Sequence, residues 1–489
     1  MQGINDQITE KATKYLLILY AILPLIIILL FIFYNGEYGN FATYQVGNKT
    51  YFKNTLLFYF LLLFVASSFF LLFYEKIKFD YDISKITMVF ILVIVIVIPD
   101  YFFRWWWEFY GGGPGPVVSD YRLLLDRINF IIILGFISYI VLQFKSKKRS
   151  GIRYGLLLTL IIFLKIMTID SFPKPPIDVW DTLMLGSSYF LKGINPYVAI
   201  YTNQGYGYIA NYYPYPPGMI LLLLPVRLFY IDVRYAFLVC QVLGALLIYF
   251  YAKMDERAEL YSFLFLIAPS SYFFLHYAWT ELPLIVFFAV IIFYGENDFK
   301  LSEKWQIPSY YWRPIVVSFL ATLKQTLWLI GPFYAIFILK KSKSKITEFF
   351  LAGLTFISIM LPFYIWSPPD FIYDVWTWHA KQVRPESMTI NSYLAKNPLF
   401  GMHELSINLF LIPYLLLIIL YYFWDKIKGR SLEFLDVIRF GTLSLFLFLL
   451  WGSLAFMNHY FMIIYLIFLI YVKIIIDSAN KKETEIIRK

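Results

Sequence analysis

The sequence predicts an all-α membrane protein, a polytopic bundle of about 14 spanning helices, on three observations. Apolar residues make up 60% of the 489-residue chain, above the roughly 45–50% of soluble domains. Charged residues are only 15%, where about 25% is usual, too few to cover a soluble body of this length. The apolar residues also fall in runs near the ~20 residues that a helix needs to cross ~30 Å of hydrocarbon. A lipid-exposed backbone must satisfy its own hydrogen bonds, so each run is expected as a helix.

In chain order the runs lie near 15–34, 54–74, 86–103, 128–144, 154–170, 234–252, 260–276, 280–295, 314–328, 328–340, 346–366, 406–424, 436–454 and 458–476. The first is long enough to span and lacks a small-residue cleavage site, so it is not expected to be a cleaved signal. Tyr and Trp, abundant in a chain that is 21% aromatic, gather at run ends, where they suit the headgroup level. The run Met219–Tyr230 is short, follows Pro214, Pro216 and Pro217, and contains Pro225. If it does not cross, the basic clusters at Lys145–Arg149, Lys340–Lys345 and Lys481–Lys482 all fall on one side. Positive charge marks the cytoplasmic face, so 219–230 is expected to lie in the outer interface. Both termini are then cytoplasmic, in a multi-pass protein of the cell membrane. Residues 1–150 form a four-span N-terminal region and 151–489 a larger transmembrane region.

That topology places short basic connections inside and the long polar ones outside, at 35–53, 104–127, 171–218 and 367–405, the third of these outer loops reaching 233 with its interfacial run. Functional residues concentrate on loops held by a rigid frame, so the outer face is where work is expected. The net charge of +10 follows topology and gives no reason to expect nucleic acid. Cys240 is the only cysteine and reads as a packing residue. Gly111–Pro116 is a turn that fits no G-x-G-x-x-G frame, and Walker-type and H-E-x-x-H motifs are absent from the sequence. Metal ligation and a bound cofactor are not expected. Asn48-Lys49-Thr50 is a glycosylation-acceptor pattern in an outer loop.

The segment Pro173–Arg234 is the richest in chemistry. Asp178 and Asp181 open an expected helix that Lys192-Gly193 closes, Asn195-Pro196-Tyr197 is a turn, and five Tyr between 201 and 213 precede Tyr213-Pro-Tyr215-Pro-Pro-Gly218. Aromatic faces stack on the C–H faces of sugar rings, and a carboxylate binds or deprotonates hydroxyls. Asp at a helix start is equally read as a cap or first-turn residue.

This order of motifs (Ile177-Asp178-Val179-Trp180, a helix, Gly193-x-Asn195-Pro196-Tyr197, Tyr213 to Gly218, an apolar run, then Asp232-Val-Arg-Tyr-Ala) resembles the polytopic glycosyltransferases of the GT-C fold. It is most similar to the polyprenyl-phosphate-mannose-dependent mannosyltransferases, a family 87-like group. The resemblance is specific over about 60 residues. It implies that Asp178 is the essential carboxylate of the first large outer loop and that 219–230 is a juxtamembrane helix. Two departures stand out: four spans precede this loop instead of one, and Asp181 completes a D-x-x-D, leaving two carboxylates to choose between.

Other polar groups fall on the same face. All four histidines, His276, His379, His403 and His459, are predicted outside. His276 and Glu281 flank the turn Tyr277–Thr280, where the resemblance implies a residue lining the site. Lys324, followed by Gln325, lies in an apolar span, where a charge costs about 2.5–3.5 kcal/mol and marks a functional candidate; a lipid phosphate would be its counter-charge, and snorkelling or an ion pair is the plain alternative. Lys165 has the same chemistry nearer a span end. Loop 367–405, with Trp376, Trp378, His379, Lys381, Arg384 and Glu386, reads as a flap over the site or as an ordered surface loop.

The expected function is inverting transfer of a hexose, mannose first, from a polyprenyl-phosphate-linked donor to a lipid or glycan acceptor on the extracytoplasmic face. Asp178 or Asp181 would be the base. Lys324, Gln325, His276, Glu281, Tyr197, Tyr213, Tyr215, Arg384 and His459 would bind substrates. A lipid or sugar transporter or flippase is the alternative, and a noncatalytic partner in glycan assembly is a third.

Overall fold

In a computed structural model of the chain, the described residues are 150–488, apart from 171–172, 176, 203–208, 254–255, 268, 301–305, 379–388, 392–393, 395–405, 453–454 and 456. The N-terminal four-span region, Asn48-Lys49-Thr50 and Gly111–Pro116 lie outside them, as do His379, Lys381, Arg384, Glu386 and His403.

The described residues are 79% helical, and their strands are two antiparallel ladders of two residues a side, so the architecture is all-α. The helices are α1 (Ser150–Asp170), α2 (Asp178–Leu191), α3 (Pro217–Arg227), α4 (Val233–Tyr251), α5 (Glu256–Ile267), α6 (Pro269–His276), α7 (Glu281–Tyr294), α8 (Ser309–Ala321), α9 (Gly331–Lys341) and α10 (Lys345–Trp366). After these come α11 (Pro368–Ile372), α12 (Leu411–Tyr422), α13 (Trp424–Lys428), α14 (Phe434–Trp451) and α15 (Met457–Arg488). Among the described residues three helices are long and apolar enough to cross a membrane: α4, α10 and α14.

The elements follow local chemistry. Gly193, at φ +73°, takes the left-handed position that ends α2. Asn195 Oδ1 accepts from the Tyr197 amide at 3.0 Å, an Asx turn. Pro217 opens α3, where its missing N–H is no loss. At 11 residues, α3 rises about 16 Å, about half the hydrocarbon thickness.

Two predicted runs are interrupted. The run 260–276 is divided into α5 and α6, with Pro269 opening the second. The run 314–328 breaks after Ala321. Lys324 is extended (φ −152°, ψ 128°), and a 3₁₀ turn, Gln325–Ile330, follows before α9. The sequence reading had Lys324 inside a continuous helix.

The described chain divides into two compact units. One takes the described residues of Met1–Pro173, Tyr249–Phe273 and Ile474–Lys489. In it α1 packs on α5: the Tyr154 ring stacks on Tyr249 at 3.8 Å and its hydroxyl meets Ser262 at 2.6 Å. Lys165 is fully buried, donates to Ser271 Oγ at 2.9 Å, and lies 4.0 Å from the Tyr272 ring centroid, so it does not snorkel.

The other unit takes Lys174–Ile248 and Phe274–Lys473. Its core forms around α14, which packs on the 3₁₀ turn, α9 and α12. Phe333, Tyr421, Trp424 and Phe440 interlock there. α8 lies along α10, tied by the buried Arg313–Glu348 pair. α2 packs on α3, and α3 on α10.

Candidate functional site

Tyrosines build the frame of the site. The Tyr197 hydroxyl donates to the Tyr215 carbonyl at 2.8 Å, that of Tyr201 to the Pro196 carbonyl at 2.6 Å, and that of Tyr189 to the Ile200 carbonyl at 2.9 Å. Tyr213 sits edge-on to Tyr197 and Tyr215, with centroids 5.7 and 5.6 Å away. Gly186 on α2 lies flush against the Tyr213 ring, where a Cβ would collide. The predicted turn and the described tyrosines Tyr201, Tyr213 and Tyr215 therefore form one packed wall around Tyr197.

Asp178 and Asp181 differ in their surroundings. Ile177, not an aspartate, is the N-cap of α2, and no side chain caps it. Both carboxylates lie in the first turn, where the helix dipole favours them. Asp178 is half-buried and Asp181 is buried. Burial first, then the charges of Asp178 and Glu281, push the Tyr215 hydroxyl well above its ordinary pKa. Two carboxylates from different helices are thus within electrostatic reach of one phenol.

Glu281 opens α7 and belongs to a buried polar cluster. It accepts from Lys324 Nζ and, at 2.9 Å, from Asn458 Nδ2. His459 Nε2 lies 3.7 Å from Glu281 Oε1 and 3.4 Å from Lys324 Nζ. Thr280 Oγ1 is 3.4 Å from the same amine. Lys324 thus has a carboxylate partner inside the protein, the ion-pair alternative for its burial. Gln325 Nε2 donates to the Pro214 carbonyl at 3.2 Å, joining the cluster to the tyrosine wall. The Gly218 amide donates to the Thr322 carbonyl at 3.0 Å, a second strap between them.

His276 is buried at the end of α6, within electrostatic reach of Arg234. Arg234 is fully buried and paired with Asp232 at 2.8 Å. Asp232 also accepts from the Trp180 indole at 3.1 Å. The predicted turn between His276 and Glu281 is tight: Ala278 has φ +52°, left-handed backbone found at sites that constrain the chain.

Several buried atoms lack a hydrogen-bond partner among the described residues, including Tyr213 Oη, Glu281 Oε2 and Gln325 Oε1. An unmet buried polar atom costs about 1–3 kcal/mol, and a ligand rich in hydroxyls would satisfy such groups. Among the described residues no group of three or more His, Cys, Asp and Glu is placed to hold a metal ion.

The structure therefore brings Tyr197, Tyr213, Tyr215, Glu281, Lys324, Gln325 and His459 into one neighbourhood, with Asp178 within electrostatic reach of Tyr215. Asp181 lies one turn along from Asp178, and His276 in the adjoining Arg234 network. Arg384 lies outside the described residues. The sequence reading named Asp232 and Thr280 within motifs but gave them no role, and it missed Asn458 and Asp374. Asn458 adjoins His459 and Thr280 adjoins Glu281, so adjacency was a usable signal for those two; Asp374 carried none.

No protein-family model, curated protein or solved structure matches this chain.

Proposed function

We propose that this chain is a membrane glycosyltransferase of the GT-C type, with about 14 spans and its site on the extracytoplasmic face. It transfers a hexose, mannose first, from a polyprenyl-phosphate-linked donor to a lipid or glycan acceptor. The observation that carries the reading is the buried cluster of Glu281, Lys324, Asn458 and His459, strapped through Gln325 and Thr322 to a wall of buried tyrosines. Aromatic rings for sugar faces, carboxylates for hydroxyls and a buried cation for phosphate are the three parts such a transfer needs.

In this reading Asp178, the more exposed of the first-turn pair, is the general base on the acceptor hydroxyl. The oxygen attacks the anomeric carbon as the bond to the lipid phosphate breaks, inverting configuration. Lys324, oriented by Glu281 and flanked by His459, stabilises the departing phosphate. Arg384, in the segment 367–405 that the sequence places outside, is a further phosphate contact in this reading. The test is transfer from defined polyprenyl-phosphate sugars to membrane glycolipid extracts, with product analysis. Full activity in both Asp178→Ala and Asp181→Ala overturns the assignment.

One observation favours the second reading, a lipid or sugar transporter. The helix break at Lys324 beside a buried charge pair is a feature of transporter sites. Substrate movement in proteoliposomes with no new glycosidic product selects it.

A further inference from the structure

The short segment from Pro368 to Trp378, comprising α11 and the wide turn Tyr373–Thr377, is bound to the tyrosine wall by one buried carboxylate. Asp374 is only 1% exposed, and its Oδ2 accepts the Tyr213 amide at 2.6 Å. Around that bond the contacts are aromatic. Phe371 meets Tyr197 at 4.9 Å, Trp378 meets Tyr212 at 4.6 Å, and Trp376 stacks on Trp328 at 5.7 Å. Such contacts align rings but leave no main-chain group tied, whereas the Asp374 bond fixes the backbone of Tyr213 itself.

We propose that Asp374 is a positioning residue: its carboxylate clamps the irregular Tyr212–Tyr215 stretch of the site wall to the 368–378 segment, so that stretch and segment dock and separate together. The proposal concerns the 368–378 segment alone and does not depend on glycosyl transfer.

Charge decides when the clamp holds. The titratable groups facing Asp374 are Asp370 on its own segment and Tyr197, Tyr201 and Tyr213 on the wall. Among the described residues no cation pairs with it. Burial, opposed by the Tyr213 amide and reinforced by Asp370, raises its pKa to about 7, against about 3.9 for a free aspartate. The docked state therefore holds a proton that the separated state has released. Docking is strongest below about pH 4, weakens as pH rises through the window from about 4 to about 7, and is level above it. The slope is at most about tenfold in the docking constant per pH unit.

The experiment is hydrogen exchange at the Tyr213 amide of the full chain in detergent or nanodiscs, corrected for intrinsic exchange, from about pH 5 to about pH 8. In the wild type, protection should fall with rising pH to about pH 7 and then level off. Asp374→Asn keeps an acceptor and no titrating group, so protection should persist without the slope. Asp374→Ala should lose about tenfold or more at every pH. Wild-type protection in Asp374→Ala, or an unchanged slope in Asp374→Asn, overturns the clamp. If the alanine variant does not fold, the asparagine series decides alone. The readout is one amide, so either outcome leaves glycosyl transfer to its own assay.

Discussion

The Gly218 amide donates to the Thr322 carbonyl at 3.0 Å, bringing the last residue of the Tyr-Pro-Tyr-Pro-Pro-Gly stretch against the chain just before Lys324. A Cβ at Gly218 would run into Thr322 backbone as well as its side chain. Backbone cannot rotate aside as a side chain can. Gly218→Ala should therefore destabilise by about 1–3 kcal/mol, as overpacking does, with a lower unfolding temperature in detergent. An unchanged transition would mean that the two segments part easily.

The pairing of Lys324 with Glu281 yields a sharper test. Both side chains are almost fully buried, so removing one partner strands the other. Lys324→Met should cost about 3–5 kcal/mol. The double variant Lys324→Met/Glu281→Leu should recover much of that loss, because an apolar replacement of a buried pair is often near neutral. A double-mutant cycle on unfolding temperature reads the coupling; additive losses would refute it.

Asp178 and Asp181 should separate by what their loss changes. Asp178 is half-buried and is the base in the proposed mechanism, so Asp178→Asn should lower transfer by about 10²–10⁴-fold with an unchanged unfolding temperature. Asp181 is 5% exposed, and Asp181→Ala should cost about 1–3 kcal/mol of stability. Parallel assays of transfer and unfolding check both. Reversed behaviour would move the base to Asp181.

Arg234 is fully buried against Asp232, which also receives the Trp180 indole. Asp232→Ala takes this carboxylate from a buried guanidinium and should cost about 3–5 kcal/mol. Trp180 anchors α2, so the loss should reach Asp178 and lower transfer as well. A variant that unfolds normally would show that α2 is held by packing alone.

Much of the fold could be read from the sequence because apolar periodicity and proline are local signals. The run 346–366 became α10 at Lys345–Trp366, and 234–252 became α4 at Val233–Tyr251. Lys192-Gly193 and Asn195-Pro196-Tyr197 announced their turns through residues that favour those backbone angles. The break at Lys324 was hidden because Thr322–Thr326 sits among apolar residues and its strap, the Gly218 amide, lies far off in the chain. Candidate residues were legible as types, but their pairing was not. Glu281 meets Asn458 across 177 positions, and Asp374 meets Tyr213 across 161. Local patterns do not reveal which distant carboxylate finds which amide.

Three of the wall's phenols, Tyr189, Tyr197 and Tyr201, already donate to main-chain oxygens. Their side chains cannot swing aside about χ1 to suit a guest without breaking those bonds, so the wall has a preset outline. Discrimination between epimeric visitors would then fall to the groups still able to reorient, leaving the phenols to judge only thickness and width.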